Sequence, residues 1–125
     1  MCYLLDTHTI LWYLQDDENL SMTARSIIDK EDCFYSKVSL WEIAIKQSIG
    51  KLRYNVSIPE IERLCRNENF MEVPVTSNEI ENLKVLPFIH NDPFDRLLIS
   101  LAQSKNMTLI TRDTIIPKYP IRTLW

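Results

Sequence analysis

Two short apolar runs, each closed by an aspartate, constrain this chain more than any other feature. Cys2-Tyr3-Leu4-Leu5 ends in Asp6, and Met107-Thr108-Leu109-Ile110-Thr111 is followed two residues later by Asp113. An apolar run without polar alternation reads as a strand buried on both faces of a parallel sheet. Open sheets of that kind carry their sites at the carboxyl ends of the strands, where both aspartates fall.

Helical patterns alternate with strand patterns between the two runs. His8 to Leu14 reads as a helix closing at the polar stretch Gln15–Asn19, and Ser21 caps a second with Ala24, Ile27 and Ile28 on one face. Cys33–Tyr35 reads as the second strand and Phe70–Val75 as the third, at an edge because Pro74 has no N–H for the ladder. Ser57 opens a helix to about Asn67, Ser77–Leu86 is a short helix stopped by Pro87, and Ile121–Leu124 reads as a last strand. The pattern implies one domain spanning residues 1–125, a three-layer α/β/α fold around a central, mainly parallel sheet of four to five strands.

Two helices place acids where chemistry is expected. In Val38–Ile49, begun by Ser36 or Lys37 and closed by Gly50, the residues Val38, Leu40, Trp41, Ala44, Ile45 and Ile49 cover about half the wheel. Glu42 sits at the border of that arc with Lys46 one step further out, so it serves either an i,i+4 ion pair or a site facing inward. In Asn91-Asp92-Pro93-Phe94-Asp95-Arg96, Asp92 has the place of an N-cap, Pro93 of N1 and Asp95 of N3, ahead of the helix that continues to about Lys105. Helix capping alone accounts for two such carboxylates; four acids brought together would repel one another and call for a cation. Mg²⁺ or Mn²⁺, hard ions that prefer oxygen, suit such a set and activate water against a phosphodiester.

Composition narrows the classes. A single glycine excludes both a P-loop and a dinucleotide fingerprint. A net charge of −3 argues against a broad basic nucleic-acid face, although acids gathered in a cation site give the same excess. Cys2, Cys33 and Cys65 form no C-x-x-C pair and suit reduced, mostly buried thiols in the cytoplasm. No signal peptide precedes Asp6, no run is long enough to span a bilayer, and a soluble protein is expected.

Four segments in this order resemble the PIN domain, and within it the VapC-type toxins of toxin–antitoxin pairs: Tyr3-Leu4-Leu5-Asp6-Thr7-His8, Ser39 to Lys46, Asp92 to Ile99, and Leu109-Ile110-Thr111-Arg112-Asp113. The resemblance implies a metal-dependent endoribonuclease that cleaves RNA with water as nucleophile and leaves a 5′-phosphate. It implies Asp6, Glu42 and Asp95 as metal ligands, Asp113 as the fourth acid, and Thr111 as a supporting hydroxyl. Asp92 is read first as a cap and second as a further ligand, while Arg96 and Arg112 either touch substrate phosphates or pair with the acids. His8 is read as a partly buried helix-start residue, and Trp12, Trp41 and Trp125 as core or dimer contacts. A cognate antitoxin and a homodimer are implied as partners.

Rival readings are weaker. A receiver domain requires an acidic pair after the first strand, and a haloacid-dehalogenase-type phosphatase requires Asp-x-Asp where this chain has Asp6-Thr7-His8. A PIN nuclease in RNA processing, or a catalytically inactive PIN binding module, stand as alternatives.

Overall fold

The computed structural model describes all residues, 1–125. Its sheet consists of β1 (Cys2–Leu5), β2 (Asp32–Tyr35), β3 (Met71–Glu72), β4 (Thr108–Ile110) and β5 (Thr123–Leu124). The strand order is β3-β2-β1-β4-β5 and every pairing is parallel. The helices are α1 (Thr7–Leu14), α2 (Met22–Lys30), α3 (Lys37–Ser48), α4 (Ile58–Asn67), α5 (Ser77–Asn82) and α6 (Pro93–Lys105). No helix is long and apolar enough to cross a membrane.

The side-chain period of two divides the core into two layers. Tyr3 and Leu5 of β1, Cys33 and Tyr35 of β2 and Ile110 of β4 face a cluster completed by Ile10, Leu11, Ala24, Ile43, Ile61 and Cys65. Leu4 and Leu109 face the opposite cluster with Leu98, Ile99, Leu101, Ala102 and Ile116. Each of these leucine and isoleucine side chains is buried, which contributes about 2 kcal/mol apiece before the entropy of ordering is counted. The sequence therefore reads as apolar on both sides of β1 and β4 because helices cover both faces.

Caps set the helix starts. Asp6, Ser21, Ser36, Ser57, Thr76 and Asp92 each accept a backbone N–H of the first turn from a side-chain oxygen. Gly50 takes φ +73° after α3, the left-handed conformation expected past a helix end.

Four expectations shift. The third strand shrinks to Met71–Glu72 at the sheet edge; the Val73 N–H still donates to the Tyr35 carbonyl at 2.9 Å, and Pro74 then ends the ladder. The last strand is confined to Thr123–Leu124. α5 stops at Asn82, and residues 83–85 continue through tight i→i+3 bonds (Leu83 to Ile80, Lys84 to Glu81, Val85 to Asn82), while the carbonyls of Leu83 and Leu86 turn to Arg96. The fourth concerns α3, whose buried residues are Val38, Ser39, Leu40, Glu42 and Ile43, while Trp41 is 54% exposed and Ile45 and Ile49 also face outward. The helix is rolled so that a carboxylate faces inward, at the expense of three large apolar groups.

Candidate active site

The chain leaves β1 in one direction to reach β2 and returns on the other side as β4, so a crevice opens beyond the carboxyl ends of β1 and β4. Register places Leu5 beside Ile110, and the Asp6 N–H donates to the Ile110 carbonyl at 3.2 Å. Asp6, Glu42, Asp92, Asp95 and Asp113 all line this crevice, a cleft of about 470 Å³, together with His8, Trp12, Lys46, Arg112 and Thr114. Acids from four separated parts of the chain thus meet at one place.

Each acid is held differently. Asp6 caps α1, its Oδ1 accepting from the Thr9 N–H at 2.9 Å. Burial raises its pKa, and the polar neighbours Thr111 and Thr9 pull the other way. Glu42 is 4% exposed, with Oε1 accepting from the Thr7 hydroxyl at 2.5 Å and Oε2 from Lys46 Nζ at 2.7 Å. The Thr7 hydroxyl lies 3.1 Å from Ser39 Oγ, so three buried polar groups share one contact and none is orphaned. Glu42 pairs with Lys46 and also lines the cleft.

Asp92 caps α6 as its position implies, Oδ1 accepting from the Asp95 N–H at 2.9 Å. The Asp95 carboxylate is left to face its neighbours, with Oδ2 3.3 Å from His90 Nε2. Burial first, then the Asp92 charge, push its pKa up to about 7; Glu42 and Asp6 add to the rise and His90 opposes it. Asp113 Oδ1 accepts from the N–H groups of Ile115 and Ile116, at 2.6 and 3.0 Å, and its own N–H donates to Thr111 Oγ1 at 3.1 Å.

The arginines divide. Arg112 is exposed at the cleft rim, donates to Asn19 Oδ1 at 3.1 Å and stands over the Trp12 ring at 5.7 Å. Arg96 does not line the cleft and pairs with none of the acids. It is buried, donates to the carbonyls of Pro87, Leu83 and Leu86 and to the Tyr119 hydroxyl, and lies on the Phe88 ring at 3.9 Å. Its planar fork gathers carbonyls that no helix satisfies. His8, expected to be partly buried, is exposed, its ring 5.5 Å from that of Trp12. Trp12 also packs against Trp125 at 5.8 Å, and Trp41 meets Phe94 edge-on at 4.8 Å.

Thr7, His90 and Tyr119 were not singled out from sequence. Thr7 follows the strand-ending aspartate directly, which was a usable signal; Tyr119 lies 29 residues from His90 and carried none.

The donor set is oxygen-rich, and the Asp92, Glu42 and Asp6 charges add to the burial that raises the Asp95 pKa, so its chemistry fits a hard divalent cation. No three of the Asp, Glu, His and Cys groups close into a coordination set of their own.

A family model for the PIN domain matches residues 3–121. Among solved structures, the chain is similar to the VapBC2 complex of Rickettsia felis bound to a promoter DNA fragment, with a TM-score of 0.71 at 14% identity over 100% of this chain and 99% of that one. FitAcB from Neisseria gonorrhoeae gives 0.66 at 13% identity, covering 98% and 96%. VapBC-1 from nontypeable Haemophilus influenzae gives 0.62 at 21%, covering 99% and 97%. No curated protein sequence matches. At these identities the structural likeness speaks for the fold.

Proposed function

This chain belongs to the PIN domain family, and from that premise we propose that it is a Mg²⁺- or Mn²⁺-dependent endoribonuclease, the toxin of a toxin–antitoxin pair. The observation that carries the reading is the convergence of Asp6, Glu42, Asp95 and Asp113 on one cleft at the switch point of the sheet. These four would hold the metal, with Thr111 supporting and Asp92 capping α6. When bound, the ion supplies a Lewis acid that makes water a nucleophile at neutral pH and stabilises charge on the phosphodiester.

The chain's own groups account for the remainder. The carboxylates orient the attacking water by accepting its protons, and Glu42 is kept in place by Thr7 and Lys46. Lys46 and Arg112, at the same cleft, meet the phosphate backbone of a single strand. A metal between RNA and the acids also resolves the mismatch between a polyanionic substrate and a net charge of −3.

The partner is proposed as a cognate antitoxin, because a similar solved structure, from Klebsiella pneumoniae, is a toxin–antitoxin complex. An Arg or Lys side chain of that partner, placed among the acids, replaces the metal electrostatically and silences the site. A cytoplasmic homodimer is proposed with it, the outward Trp41, Ile45 and Ile49 offering apolar surface to a second copy. Purified protein incubated with total RNA should produce new 5′-phosphate ends with Mg²⁺ or Mn²⁺, and none in EDTA or after co-purification with the product of an adjacent small gene. Cleavage that persists in EDTA would refute the reading.

A further inference from the structure

His90 lies in the loop between α5 and α6, its side chain 19% exposed, and touches an acid of the cleft through one nitrogen and a buried tyrosine through the other. Nε2 is 3.3 Å from Asp95 Oδ2; Nδ1 is 2.9 Å from the Tyr119 hydroxyl. Tyr119 is 2% exposed and its hydroxyl already accepts from Arg96 Nη1 at 3.2 Å and from the His90 backbone N–H at 3.1 Å. A phenol oxygen has two acceptor positions and one proton. With both acceptor positions used, a third donor from the imidazole would be one too many, so the hydroxyl must donate. Its nearer acceptor is Nδ1 at 2.9 Å, against 3.3 Å for the His90 carbonyl.

An Nδ1 that accepts leaves the neutral ring's single proton on Nε2, opposite Asp95. The opposite tautomer would turn an imidazole lone pair toward a carboxylate oxygen, a repulsive contact. The base of this arrangement is stiff, because Arg96 is itself buried and tied to three backbone carbonyls. Asp95 Oδ2 is thus occupied by a fixed donor, and Oδ1 has no protein hydrogen-bond partner.

We infer that His90 is a positioning residue of the cleft: held as the Nε2–H tautomer by the Arg96–Tyr119 anchor, it fixes one oxygen of Asp95 and thereby presents the other to the metal. The inference rests on the nuclease reading and adds to it a residue outside the carboxylate set. Partners that orient a ligating group in this way change metal affinity or activity by about 10–100-fold when removed.

The test uses the full chain as wild type, His90→Ala, His90→Gln and Asp6→Asn. Three quantities are read: Mn²⁺ affinity by electron paramagnetic resonance without RNA, kcat and KM for RNA cleavage, and the thermal midpoint in EDTA. His90→Ala should bind Mn²⁺ about tenfold more weakly and lose kcat with KM little changed. Its midpoint in EDTA should stay close to wild type. His90→Gln, whose amide carries an N–H of similar reach, should recover most of both losses.

An Ala variant that binds Mn²⁺ and cleaves like wild type, beside an inactive Asp6→Asn, overturns the positioning role and leaves the nuclease reading standing. A Gln variant as impaired as Ala, with both midpoints lowered, also overturns it, since only loop structure would then be at stake. A wild type that neither binds Mn²⁺ nor cleaves RNA overturns the nuclease reading and this inference with it.

Discussion

Asp95→Asn separates the electrostatic cost of the cleft from its shape. The carboxyl, with an ordinary pKa of 3.8, is pushed up to about 7 in the folded protein, by burial first and by the Asp92, Glu42 and Asp6 charges after it. The unfolded chain gives up that proton near 3.8, so between about 4 and about 7 the folded state binds a proton that the unfolded state has lost. The contribution of this one group to stability must then fall as pH rises through this window, the reverse of a salt-bridged carboxylate. At about 1.4 kcal/mol per pH unit, the interval sets a ceiling of about 4 kcal/mol. The side chain is still 22% exposed, and solvent screening brings the expected effect to ~1–2 kcal/mol. Asparagine keeps the shape, and its side-chain carbonyl can still accept from His90. With a urea slope of about 1.5 kcal/mol per molar, the variant should unfold about 1 M later than wild type at pH 8 in EDTA. At pH 4 the two curves should nearly coincide, because both proteins then carry an uncharged group. Adding Mg²⁺ should narrow the pH 8 gap by stabilising wild type alone. Tryptophan fluorescence reads all of these transitions. An asparagine variant less stable than wild type at pH 8, or an advantage of equal size at both pH values, would refute the crowded-acid reasoning.

Asp6→Asn should abolish metal-dependent RNA cleavage while remaining at least as stable as wild type in EDTA, since asparagine preserves the α1 cap and removes a buried charge; a lowered melting temperature with retained cleavage would contradict this. Asp92→Asn should change stability by only a few tenths of a kcal/mol and Asp92→Ala should cost about 1 kcal/mol, with cleavage retained in both; urea curves and an RNA assay decide whether the cap role is the whole role. Arg96→Met should cost about 2 kcal/mol or more, because the carbonyls of Leu83, Leu86 and Pro87 lose their donor, and hydrogen exchange of the loop between α5 and α6 should rise; unchanged exchange would remove the anchor role.

The parts of this protein legible from sequence are those written in local physics. The apolar runs before Asp6 and Asp113 named β1 and β4, and the serine and aspartate caps marked where helices begin, because strand period and capping geometry depend on a few consecutive residues. Asp95 at the third position of α6 was placed by the same rules. Tertiary structure decided which face of α3 is buried. An apolar count turned Trp41, Ile45 and Ile49 inward, whereas the fold turns Glu42 inward, where Thr7 and Lys46 satisfy both of its oxygens. It also decided the work of Arg96, whose carbonyl partners follow no period, and of His90, whose hydroxyl partner is 29 residues away. Hydrogen-bond saturation at a buried hydroxyl is settled by everything that reaches it, and only the folded chain brings those groups within 3.3 Å of the Tyr119 oxygen.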